Sequence, residues 1–364
     1  QRAVKGVRRM RYYRTDERGE ATVPGLPLGR YPLGVYAIDV EYGTVTHVVD
    51  LSKRAQAHHG KAGDDGRLRQ HVRWIENEQS AILFPAIGRP FYGLVDPRYT
   101  TSLVALKVLS GTGTEPRQYG YTVENSGIGG IGVLYGEASQ DDEARLKMVV
   151  SGLGNQRLLL LNSEGHVDEA EARGRGFLLA TEKLGATTLQ SARDLWNIDE
   201  ARMRTLARHG IENQRLTRLH DQAAELIARA EGAAERLEWD RYVAWSREAL
   251  GVESRAYPEV LDTLNDVIKG MVFFLALVLP AAFFGERLLF AAADIRRQLA
   301  GFAAVLVLIW LVLSQVHPAF ELAHPLVILL AFSIMAMGGL VLLMIVGRFN
   351  RFVDEYQSRQ SRVH

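Results

Sequence analysis

The sequence predicts a multi-domain α+β membrane protein, and three observations carry that expectation. Up to about residue 265 the chain is polar, first strand-like and then helical, whereas its end is dominated by apolar runs. Three of those runs, Val267–Phe284, Leu299–Val316 and Leu326–Val346, reach the roughly 18–21 residues that a bilayer core requires. Apart from Lys269, none contains Asp, Glu, Lys or Arg, so none shows the polar face of a helix lying on a globular core. The expected order is an N-terminal β-sandwich, a second β-rich unit, a helical hairpin and three transmembrane helices.

Length and composition agree with several units. The 364 residues suffice for two or three domains. The 47% hydrophobic content and net charge of +1 average over two unlike parts. Near-neutral charge offers no basic face, which excludes nucleic acid as an expected partner. The lack of cysteine excludes disulfides and thiolate metal sites but leaves the compartment open. The chain begins Gln-Arg-Ala-Val and ends in an Arg-containing tail beyond the last apolar run, and it is read as a piece of a longer polypeptide.

Residues 1–52 read as β-structure, with Tyr31, Leu33 and Val35 alternating in one run and Val45, His47 and Val49 in another. Residues 53–70 are polar with several Gly and read as a linker. From 71 to 186, strand-like runs return at Ala81–Ile87, Ser102–Leu109, Ile131–Tyr135, Leu146–Val150 and Leu158–Leu161, punctuated by Gly and Pro.

From residue 187 the period becomes helical, through 257. Leu189, Ala192, Trp196, Met203 and Leu206 share one face, and Gly210 is a C-terminal stop. Leu216, Leu219, Ala223, Leu226, Ala230, Ala233 and Leu237 then alternate spacings of three and four, a heptad seam suited to coiled-coil packing. The two helices are expected to form an antiparallel hairpin. A shorter helix is expected from Asp240 as N-cap to Leu250, with Gly251 after it. Pro258 suits the first turn of a further helix leading into the apolar runs, over 258–350.

The connectors orient the expected spans. Arg287, Arg296 and Arg297 lie between the first two runs, and Arg348, Arg351, Arg359 and Arg362 follow the third. The second connector has His317, Glu321 and His324 but no Lys or Arg. By the positive-inside rule the 351–364 tail is cytoplasmic and the N-terminal region extracytoplasmic, in a bacterial inner membrane.

Residues able to carry chemistry are few. Gly127-Ile128-Gly129-Gly130-Ile131-Gly132 has the look of a phosphate loop, but strand-like Val133-Leu134-Tyr135 follows where a helix is needed, so a turn is expected. His58-His59 with Asp64 and Asp65 lack the spacing of a metal site and read as solvated linker. His209, His220 and Glu212 read as capping and surface groups rather than an acid–base pair, and Asp141-Asp142-Glu143 as a solvated loop. Glu286-Arg287 reads as an anchor where the first span meets water, and Pro280 as a kink within it. Gly338-Gly339 would permit close helix approach in the third span. No catalytic, cofactor-binding or metal-ligating residues are expected.

Two stretches of wording go further. Asp16-Glu17-Arg18-Gly19-Glu20-Ala21-Thr22-Val23, followed by Gly25-Leu26-Pro27-Leu28-Gly29-Arg30-Tyr31, resembles the carboxypeptidase regulatory-like repeat, a small non-catalytic β-sandwich. A wider set comprises Tyr92 to Tyr99, Ala192 to Glu200, His209-Gly210-Ile211-Glu212-Asn213, Glu253 to Pro258, Asn265 to Gly270, Asp294 to Gln298 and Val316-His317-Pro318-Ala319-Phe320. In that order they resemble the N-terminal half of large bacterial FtsX-like permeases of the ABC-transporter class. The permease core proper is not among these residues.

The resemblance implies a non-enzymatic extracytoplasmic and membrane portion of a permease subunit that couples to a separate cytoplasmic ABC ATPase. Membrane lipid and that ATPase are the partners implied, and homodimerisation is left open. The alternatives are a membrane-anchored β-sandwich binding or adhesion protein and the accessory region of a membrane peptidase; no zinc motif supports the peptidase.

Overall fold

The computed structural model describes residues 11–74, 78–96, 106–126, 129–152, 155–163, 165, 172–208, 210–290, 295–316, 334, 338, 345–353 and 355. The chain divides into two units. One holds residues 1–197 and 225–251, the other residues 198–224 and 252–364.

The first unit contains the strands. They are β1 (Gly29–Leu33), β2 (Tyr36–Ile38), β3 (Val45–Val49), β4 (Leu68–Val72), β5 (Leu83–Leu94) and β6 (Leu106–Ser110). β7 (Gly120–Ser126), β8 (Gly129–Glu137), β9 (Leu146–Gly152), β10 (Asn155–Leu160) and β11 (Gly185–Ala186) follow. The main sheet has the order β2-β3-β5-β8-β7, with β11 parallel to β5 at its far end. β10, β9 and β6 form a second, antiparallel sheet, and β1 pairs with β4.

This topology corrects the first two domain boundaries. Residues 1–52 are not a separate carboxypeptidase regulatory-like sandwich, because β3 pairs along β5 with His47 opposite Pro85 and Val49 opposite Leu83. Nor are residues 53–70 a linker. Lys53–His59 form the helix α1, capped by Ser52, and Leu68–Val72 is a strand.

The physical reason is a single shared core. Val49 and Leu51 from the N-terminal stretch pack with Leu68, Phe91, Leu94, Leu134, Met148, Leu160 and Leu179. Each such side chain gains roughly 1.5–3 kcal/mol from burial, which a domain of some 50 residues could not gather alone. Charged groups stitch loops to this core: the Arg89 guanidinium donates to the carbonyls of Leu179 (2.6 Å) and Ala180 (3.0 Å).

β8 explains the glycine-rich run. β7 and β8 pair with Ser126 opposite Gly129 and Thr122 opposite Val133, so residues 129–132 are strand rather than turn. A Cβ at Gly132 would collide with the Thr122 carbonyl and press on the Phe91 ring, so the run is set by close packing. Residues 127 and 128 lie outside the described residues.

The helices follow. α2 (Thr187–Arg208) ends where Gly210, at φ +73°, donates to Ala207 and Ile211 donates back to Leu206. Only glycine enters that left-handed region without penalty. α3 (Gln214–Glu235) buries Leu216, Ala223, Leu226, Ala230 and Ala233 from the expected seam. Leu237 is not part of that seam. It has φ +59°, is 69% exposed, and lies beyond the helix end. In the second unit, Leu206 packs with Leu216 and Glu200 meets His220, so α2 and α3 run antiparallel there.

α4 spans Trp239–Leu289 as one helix of 51 residues. Gly251 does not stop it, and Pro258 lies in its interior rather than at its first turn. Local propensity is overridden because Val252, Ala256, Tyr257 and Val260 are all buried on one face. α5 covers Ile295–Val316.

The three expected transmembrane helices, and with them the multi-pass inner-membrane placement and orientation, are corrected. Among the described residues no helix is long and apolar enough to cross a membrane. The first apolar run is the continuation of α4, a helix whose earlier turns carry Asp240, Arg247, Glu253, Glu259, Asp262 and Asp266. The second run lies in α5, which opens on Ile295-Arg296-Arg297-Gln298. The third run, with Gly339, lies almost wholly outside the described residues. Glu286 does not sit in water as an anchor either. It is fully buried, with the Arg287 Nε 4.0 Å away.

Candidate functional site

The second unit is built on α2, α3 and α4, and its apolar cluster joins Leu206, Leu216, Ala256, Val260 and Leu264. Beside that cluster lies a knot of ionisable groups. Asp199 and Glu253 are completely buried, His220 is 3% exposed and Arg202 6%. The spacing that buries Ala256, Tyr257 and Val260 also turns Glu253 inward. On α2, Asp199, Arg202 and Leu206 follow the same helical period, so two charged residues occupy an apolar stripe.

His220 is held between two carboxylates. Its Nδ1 is 3.2 Å from Glu253 Oε1 and its Nε2 is 3.1 Å from Glu200 Oε2. A neutral imidazole has one donor, so satisfying both acceptors requires the protonated ring. Burial alone would lower the His220 pKa, but the hydrogen bonds and charges of Glu253 and Glu200 outweigh it and the net effect is a rise.

Asp199 meets Glu253 on one side and Arg202 on the other, the guanidinium 3.5 Å away. Arg202 also lies over the Tyr257 ring, 5.4 Å from its centroid. Burial first, and then the Glu253 charge, push the Asp199 carboxyl well above its ordinary value, with Arg202 opposing them. Asp199 Oδ2 and Glu253 Oε2 have no hydrogen-bond partner as carboxylates, and two acceptors cannot satisfy each other. With Asp199 protonated, its own hydroxyl supplies the missing donor. The knot is thus an enclosed group of ionisable side chains whose protonation is set by one another and by burial.

The other residues weighed from sequence are scattered. Glu212 is exposed, His209 lies outside the described residues, and of that trio only His220 is placed in the knot, not on the surface. His58 and Asp64 are exposed. His59 is buried with Nε2 2.8 Å from the Asp50 carbonyl, and Asp65 pairs with Arg69 at 2.8 Å. Among the described residues no group of three or more His, Asp or Glu could hold a metal ion. Asp142 is exposed in a short 3-10 turn, Asp142–Ala144, and pairs with Arg145.

Sequence reasoning missed Asp199, Arg202 and Glu253. The available signal was a charged residue standing in register with an apolar helical stripe. No family model matches the chain, and no curated protein or solved structure matches it.

Proposed function

We propose that the chain is a non-enzymatic coupling part of an FtsX-like transport protein that works with a separate ABC-type ATPase. The observation that carries this reading is α4, which continues through Gly251 and Pro258, where the sequence suggested one helix ending and another beginning. A stiff helix passes a displacement along its length, whereas a Gly/Ser-rich segment would absorb it. The segments Glu253 to Pro258 and Asn265 to Gly270, two of those carrying the resemblance, both fall on this helix. The role is mechanical: α4 moves, and side chains packed on it move with it. No membrane crossing enters this reading.

The experiment is affinity purification of the full-length protein from its native host. An ABC-type ATPase is expected in stoichiometric amount, and its repeated absence would overturn the proposal. Insertion of a short Gly-Ser segment after Gly251 is the mechanical counterpart. It should leave ATPase binding in place and abolish coupled activity.

A further inference from the structure

We propose that the His220–Glu253–Asp199 knot is a proton-operated latch: protonated, it clasps α3 to α2 and α4 within the second unit, and deprotonated it lets go. This stands whether or not the chain belongs to a transporter, because it rests on the knot itself and not on the proposed function. From α2, the facing groups are Asp199, Glu200, Arg202 and Arg204; from α4, Glu253 and Tyr257; from α3, His220. Farther out, Arg215 of α3 pairs with Glu259 of α4 at 3.1 Å. Arg204 lies 3.2 Å from Glu200 and Arg202 lies 3.5 Å from Asp199, while His220 turns its Nδ1 to Glu253.

Removing one proton from His220 turns a donor into a lone pair aimed at a carboxylate, at a buried position. Removing the proton from Asp199 leaves a buried carboxylate beside Glu253 with no donor for its Oδ2. Both losses act in the same direction. Each group is held above its ordinary value, 6.5 for the imidazole and 3.8 for the Asp carboxyl. Each contribution is therefore complete below that ordinary value and is lost as the pH rises through the raised folded-state value. The second unit is tightest in acid and loosens toward alkaline pH.

The test uses the full-length chain, with amide hydrogen exchange corrected for intrinsic rates and the His220 ring followed by nitrogen NMR. Between about pH 5.5 and about pH 8.5, amides of 216–224 and 252–264 should lose protection about tenfold or more. Amides of β8, in the other unit, should not. The His220 ring should remain an imidazolium above its ordinary range and titrate with the same midpoint as the loss of protection. His220→Gln, which does not titrate, should flatten the profile. Asp199→Asn should keep the His220 step and retain more protection at the upper end. A ring that is neutral throughout, a midpoint separate from the loss of protection, or an unchanged profile in His220→Gln overturns the latch. If His220→Gln does not fold, the two midpoints in the unsubstituted protein decide the matter.

Discussion

Asp194 and Asp199 lie on the same helix and are equally inaccessible, yet the two regions they serve treat them in opposite ways. In the first unit, Asp194 accepts from the backbone N–H groups of Leu161 (2.6 Å), Asn162 (3.2 Å) and Ser163 (3.0 Å). The Ser163 hydroxyl (2.8 Å) and the Gln190 amide (3.0 Å) add to these. Burial raises its pKa, and these donors oppose the rise. In the second unit, Asp199 has a carboxyl and a guanidinium for neighbours and one oxygen without a donor. A buried carboxylate surrounded by fixed donors is a permanent fastening. One that lies beside another carboxyl and lacks a donor for one oxygen is a conditional fastening, and the same residue type serves both ends.

The largest effect is expected from removing the apolar support of the first unit. Phe91→Ala, at a site 1% exposed, should cost about 3–5 kcal/mol in denaturant unfolding. A cost below about 1 kcal/mol would show that the shared core does not hold the sheets together.

Next in size, and more discriminating, is the pair Asp194→Asn and Asp199→Asn. The first presents an amide NH2 to groups that donate, and should destabilise by about 1–3 kcal/mol at neutral pH. The second replaces a carboxyl that prefers to be neutral, and should be neutral or stabilising there. Equal losses at both positions would erase the distinction.

Smaller effects test the helix ends and the surface. The Asn213 side chain accepts from the N–H groups of Arg215 (3.0 Å) and Leu216 (3.4 Å), so Asn213→Ala should cost about 1 kcal/mol. Thermal unfolding would register no change if α3 were instead held only by tertiary packing. Arg193 pairs with Glu231 at 2.5 Å, but both side chains are about 40% exposed. A double-mutant cycle on that pair should return less than about 1 kcal/mol, shrinking further in salt.

Local pattern made much of the secondary structure legible. Alternation in Val45, His47 and Val49 foretold β3, and the period of three and four from Leu216 to Ala233 foretold α3. Gly210 foretold the end of α2 because a left-handed residue is a local requirement. The same local logic failed at Gly251 and Pro258, where burial of Val252, Ala256 and Tyr257 outweighs two weak helix formers. It failed again with the apolar runs. A stretch of Val, Leu and Phe reports its own hydropathy, not the helix that contains it, and Val267–Phe284 belongs to a helix that begins at Trp239.

The amino-acid order alone determined where many of the strands and helices form, that cysteine chemistry is absent, and that no familiar catalytic spacing is present. Long-range packing is what brings Val49 and Met148 into one core, folds residues 53–59 and 68–72 onto it, and sets His220 between Glu200 and Glu253. Spacing along a chain fixes which residues share a helix face. What that face meets, and whether a charge there finds a donor or another charge, depends on residues tens of positions away.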